Sequence, residues 1–217
     1  MKTEELIDRL ARDLAPVRPL PRPERRAAAW LVGAGLYVGL FVVLTRSGGG
    51  PTTDLEALLP QLAALVACVV AAGAAFASVV PGYSRAVLAW PLIAGVVWLG
   101  MLAIGATWSS GAIAAASRHE WACVLLIVVG AAPLLAALVA MLRRGAPFRP
   151  AVTAGLAALA VGALASAGAC FWRPHADDAV TLVWHGGAIA IVMAVCLLGA
   201  RWLLGPSRLS GTGREVR

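Results

Sequence analysis

A chain of 217 residues that is 60% hydrophobic and only 13% charged carries more apolar side chain than a soluble core of its size can bury. Its formal net charge of +7 would suit a nucleic-acid partner. The basic residues flank apolar runs instead of forming one binding face, which argues against direct nucleic-acid contact and for membrane lipid.

Residues 1–26 read as a polar arm. Thr3 is placed as a helix N-cap, with Glu4 and Glu5 in the first turn where the helix dipole favours anions. Pro16 ends the pattern, so a helix is predicted over 3–15. Leu6, Ile7, Leu10, Leu14 and Val17 fall within one arc of about 100°, while Glu4, Asp8, Arg9 and Arg12 lie elsewhere on the wheel. A helix this short is marginal alone in water, so its apolar stripe needs a membrane or a protein. Glu4, Glu5, Asp8 and Asp13 make the polar face mixed in charge, which weakens attraction to anionic lipid. A groove on a protein partner fits at least as well. From Pro16 to Pro23 four prolines in eight residues predict an extended, polyproline-like spacer.

Six apolar stretches follow, at 27–45, 58–80, 86–107, 121–142, 150–172 and 179–204. Each is about 20 residues or longer, enough to cross a hydrocarbon core as a helix. The first follows a long polar arm and is read as a retained span rather than a cleaved signal peptide. An all-α polytopic membrane domain over 27–204 is therefore predicted, with a tail at 205–217. Six spans leave both termini on one side. Fifteen of the eighteen Lys and Arg then share that side, and only Arg46, Arg118 and Arg173 lie on the other. The positive-inside rule makes the richer side cytoplasmic.

Tryptophans fall where interfacial belts are expected: Trp30, Trp90 and Trp202 near cytoplasmic span ends, Trp108, Trp121, Trp172 and Trp184 near external ones. Only Trp98 sits mid-span. Gly35 and Gly39 in the first span, and Ala158, Gly162, Ser166 and Cys170 in the fifth, repeat small residues at helical spacing. Such stripes let helices approach closely, within one chain or across a dimer, so the oligomeric state stays open. Pro133 should kink the fourth span.

His119, His175 and His185 all fall on the external half, as do Cys123 and Cys170, whereas Cys68 and Cys196 fall inside the bilayer. The arm has no Cys or His, which excludes a zinc-binding cytoplasmic domain. Cys123 and Cys170 can be packing residues, a disulfide in an oxidising compartment, or a thiol that senses metal or oxidant. Asp177 and Asp178 suit the N-terminus of the sixth span as caps. His185 lies one or two turns into that span, where an ionisable side chain needs a partner, structural or signalling.

The opening Met1-Lys2-Thr3-Glu4-Glu5-Leu6-Ile7, then Arg9-Leu10-Ala11, then Asp13-Leu14-Ala15-Pro16-Val17-Arg18-Pro19-Leu20 resembles the N-terminal signature of the NrsF-like proteins, negative regulators of sigma-F. The likeness continues in Val80-Pro81-Gly82, Trp121-Ala122-Cys123, Arg143-Arg144-Gly145-Ala146-Pro147, and Asp177-Asp178 followed by Trp184-His185-Gly186. It departs locally where Phe171-Trp172-Arg173-Pro174-His175-Ala176 replaces a shorter Cys-Pro-like run. The resemblance implies a six-span anti-sigma factor of the bacterial inner membrane, without enzymatic activity or cofactor. Its arm would hold an extracytoplasmic-function sigma factor through Leu6, Ile7, Arg9, Leu10, Arg12, Asp13, Leu14, Val17 and Arg18. Cys123, Cys170, His175, Asp177, Asp178 and His185 would be the candidates for sensing an external, redox or metal signal. The competing readings are a small transporter, which should show repeats and polar mid-span breaks, and a membrane redox or haem protein using the external Cys/His set.

Overall fold

The computed structural model describes residues 3–5, 7, 20–45, 55–108, 120–145, 147–172 and 181–205. Among these there is helix and no strand. We label the helices α1 (Pro23–Thr45), α2 (Leu55–Ala77), α3 (Arg85–Trp108), α4 (Glu120–Arg143), α5 (Pro150–Trp172), α6 (Gly186–Leu198) and α7 (Ala200–Leu204), with a π-helical turn at Thr181–His185 before α6. Four segments are long and apolar enough to cross a membrane: Pro23–Leu44, Leu58–Ala77, Ala86–Ala106 and Pro150–Phe171. Ile127–Arg143 and Leu182–Leu198 are shorter apolar helices. In the arm, Thr3, Glu4, Glu5 and Ile7 are helical, with Ile7 exposed; Leu6 and residues 8–19 lie outside the described residues.

The first five predicted stretches each coincide with one continuous helix. The sixth does not. It enters through the π turn and breaks again at Gly199 before the short α7. Gly199 has weak helix propensity, and a π turn accommodates one extra residue by widening the helix.

Local chemistry sets the helix ends. Pro23 and Pro150 open α1 and α5, where a missing N–H costs nothing. The carbonyl of Arg22 accepts from Arg25 and Arg26, and that of Arg149 accepts from Thr153. Ser84 Oγ accepts from the Ala86 amide at 3.2 Å, capping α3. Between α2 and α3 the Val80-Pro81-Gly82 turn places Gly82 at φ 84°, a left-handed conformation that glycine adopts without a Cβ clash. This short link forces the two helices antiparallel.

One end of the bundle gathers the start of α1, the end of α2, the end of α4, the start of α5 and α7. Ser78 Oγ lies 2.8 Å from Thr153 Oγ1, Arg143 Nη2 donates to the Trp202 carbonyl at 2.8 Å, and its Nε donates to the Leu203 carbonyl. Arg143 thereby caps the free carbonyls of α7. Arg22, Arg25, Arg26, Arg143, Arg144 and Arg149 sit at this basic end.

α5 is the centre. It packs against α1, α2, α4, α6 and α7, most extensively against α2. Ala157, Ala158, Ala160, Val161 and Ala163 are fully buried, and their small side chains allow that crowding. The outer surface is apolar: Val32, Leu36, Leu40 and Val43 on α1, Leu92 and Val96 on α3, and Ile191, Val195 and Leu198 on α6 are all exposed. So wide an apolar surface suits lipid and not water.

The two small-residue stripes have different fates. Ala158, Gly162 and Ser166 are buried inside the chain against α6 and its neighbours. Gly35 and Gly39 are exposed, and a Cβ at either would meet nothing within 4 Å. A Cβ on Gly162 would sit 2.9 Å from Ile189 Cγ2. Gly162→Val should therefore destabilise the bundle by about 1–3 kcal/mol through overpacking. Gly186→Ala, with open space at its Cβ, should be close to neutral. Thermal unfolding in detergent distinguishes them, and equal midpoints would show that α5 and α6 are not tightly apposed at Gly162.

Candidate functional site

α5 and α6 run antiparallel in a fixed register. Gly155 faces Leu197 and Gly162 faces Ile189, so one turn further Ser166 meets His185. Ser166 Oγ is 3.0 Å from His185 Nδ1, and Cys170 Sγ is 3.8 Å from the same nitrogen. Ser166 and Cys170 share a face of α5 because they are four residues apart. The π turn brings the ring to them at its last residue. Ser166 and His185 are buried and Cys170 is half-buried. The imidazole can accept a proton from either hydroxyl or thiol, or donate to one of them, according to its tautomer.

The structure thus joins two of the predicted sensing residues, Cys170 and His185, and adds Ser166, which sequence reading had treated only as a small residue. Its signal was the i, i+4 step from Gly162 through Ser166 to Cys170. Cys123 lies in α4, but its side chain is outside the described residues, as are His119, His175, Asp177 and Asp178. Cys68 and Cys196 are buried free thiols. No three His, Cys, Asp or Glu side chains converge among the described residues.

A second polar centre lies at the root of the arm. Arg26 is buried, donates from Nη2 to the carbonyl of Met141 in the last turn of α4, and stacks 5.0 Å from the centroid of the Phe76 ring. One turn along, Trp30 Nε1 donates to the Leu134 carbonyl at 3.3 Å. Trp30 is 4% exposed, so it is a core residue and not the interfacial anchor that its position suggested. Trp90 and Trp202, at 62% and 86% exposure, do match the belt. Pro133 lies in the same helix, where its ring removes the donor that would otherwise reach the Val129 carbonyl. Gly145 closes this corner: a Cβ there would collide with Val79 Cγ1. Of the predicted partner-binding residues only Ile7 is described; Leu6, Arg9, Leu10, Arg12, Asp13, Leu14, Val17 and Arg18 lie outside the described residues.

The family described as "Negative regulator of sigma F", NrsF, matches residues 10–205. The chain belongs to the NrsF family. The match begins at Leu10, inside the apolar stripe of the arm, takes in both polar centres, and ends at Gly205, directly after α7. NrsF membership makes a sigma factor the implied partner and regulation, rather than catalysis, the implied role. No curated protein and no solved structure matches the chain.

Proposed function

We propose that this NrsF-family chain is a membrane anti-sigma factor that holds an extracytoplasmic-function sigma factor on its N-terminal arm and releases it on an external, redox or metal signal. The observation that carries the reading is the family match from Leu10 to Gly205 over a chain with an apolar outer surface. Six spans place both termini, residues 1–26 and 205–217, in the cytoplasm of a bacterial inner membrane, where RNA polymerase works. Leu6, Ile7, Leu10, Leu14 and Val17 fill a groove of the sigma factor. Arg9, Arg12, Asp13 and Arg18 pair with charges at its rim.

Reporter fusions test the topology. Fusions at Asp54, Ala114 and Ala176 should report the external side, and fusions at Ser84, Ala146 and Gly213 the cytoplasm. An external carboxy terminus would end the six-span reading. Co-purification tests the partner: the full chain taken from membranes should carry a sigma factor, and recovery of a chromophore instead would favour a haem or redox protein.

The signal acts on Cys170 and His185 and on Cys123, His175, Asp177 and Asp178. A bond formed or broken where α4, α5 and the π turn meet shifts helices relative to one another, which is what a switch needs. Cys123→Ser and Cys170→Ser should leave sigma capture intact and change its release under oxidant or heavy-metal stress. A sigma-dependent reporter reads this. Identical induction in both mutants and the unaltered protein would reduce the two cysteines to packing residues.

A further inference from the structure

At the basic end, a cavity of about 260 Å³ opens between the arm and α4, and Arg25, Arg26 and Arg144 face it together with Pro21 and Ala29. Among the described residues no acidic side chain lines it. Glu24, the acid nearest in sequence, lines a different, apolar groove beside Trp90. Arg144 is close enough to Arg26 to repel it. Arg26 is 8% exposed and uses one donor on the Met141 carbonyl; its other N–H groups meet no acceptor among the described residues. Three guanidinium groups held around one hollow, one of them buried, make a site of strong positive potential with several donors left to give.

What leads away from the cavity decides its occupant. Arg25 and Ala29 continue along one face of α1 as Val32, Leu36, Leu40 and Val43, a spacing of three and four residues, and the four aliphatic side chains are 60–75% exposed. A free anion would have no use for that stripe. A phospholipid uses both, its phosphate among the arginines and its acyl chains along the helix.

We infer that Arg25, Arg26 and Arg144 form a binding site for the phosphate of an anionic phospholipid headgroup, at the point where the arm enters the bundle. The inference rests on the reading of the chain as membrane-spanning. It does not depend on which sigma factor the arm holds. A bound headgroup neutralises the repulsion between Arg26 and Arg144 and fastens the root of the arm to the bilayer surface.

The test uses the full chain in neutral detergent, titrated separately with short-chain phosphatidylglycerol, phosphatidylcholine and inorganic phosphate. Thermal midpoint and retained adducts in native mass spectrometry are read. Phosphatidylglycerol should bind and raise the midpoint well above phosphatidylcholine. Arg25→Gln with Arg144→Gln, both exposed and so tolerated by the fold, should weaken it about 25-fold, at roughly fivefold per lost charge. The charge-matched control Arg149→Gln with Arg201→Gln should keep the wild-type affinity. Equal binding of the two lipids, or an equal loss in the control pair, would overturn the site. Competition by inorganic phosphate at the same concentration as the lipid would overturn the lipid and leave a free-anion site. Failure of the membrane reading itself would appear earlier and separately, as a chain that leaves the membrane fraction without detergent.

Discussion

Replacing Leu10 with aspartate should abolish sigma-factor capture while the protein still enters the membrane. Leu10 is central in the apolar stripe that the sequence predicts for the arm and is the first residue of the family match. A carboxylate buried in an apolar groove without a partner costs several kcal/mol, and loss of a central anchor alone commonly exceeds 2 kcal/mol. The combined effect should be at least about 3 kcal/mol, more than 100-fold in Kd. Deleting residues 1–18 should do the same. The measurement is sigma-factor binding to protein in detergent, with membrane fractionation as the control for insertion. Unchanged affinity in the truncated chain would move the binding surface away from the arm.

Arg26→Ala should be among the most destabilising single changes in the bundle. It removes a charged donor from the Met141 carbonyl and a guanidinium from the face of Phe76. A hydrogen bond from a charged group contributes about 1.5–3 kcal/mol and a desolvated cation–π contact about 2 kcal/mol. The expected loss is therefore about 3–5 kcal/mol, read as a lower midpoint on heating in detergent. Arg26→Lys keeps the charge but not the planar stack, and should fall between the two. A midpoint for Arg26→Ala within error of the unaltered protein would show that the α1–α4 connection contributes little. The same contact joins the arm to the helix that carries Cys123, so Arg26→Ala should also raise sigma-dependent reporter output without stress. Reporter output equal to the unaltered strain would separate this corner from regulation.

The helical class of the protein was legible residue by residue. Apolar runs of span length, interrupted by Val80-Pro81-Gly82 or by Arg143-Arg144-Gly145, define where helices begin and end, and five of the six bounds were close to the observed helices. The exception is instructive. The run at 179–204 looked continuous because hydropathy does not register a π turn or the break at Gly199. Both are departures of the backbone and leave the apolar character of the run unchanged. Two of the three residues brought together, Cys170 and His185, were legible too, His185 because it stood out as an ionisable group within an apolar segment. Its partner Ser166 did not, because a serine in a row of small residues looks like packing until something lies across from it.

Along-chain properties are therefore what the sequence determined by itself: helix class, apolar segments and the family. Each depends on composition within a window of the chain. Which side of each helix meets another helix was decided only in the tertiary structure. Gly35-Gly39 and Gly162-Ser166 share one spacing, yet the first pair is open and the second is packed against Ile189 and His185. Trp30 reads as an interfacial residue and is buried. In a bundle whose core and surface are both apolar, hydrophobicity no longer distinguishes inside from outside. Close packing and the few polar pairs, Arg26 with Met141 and Ser166 with His185, make that choice.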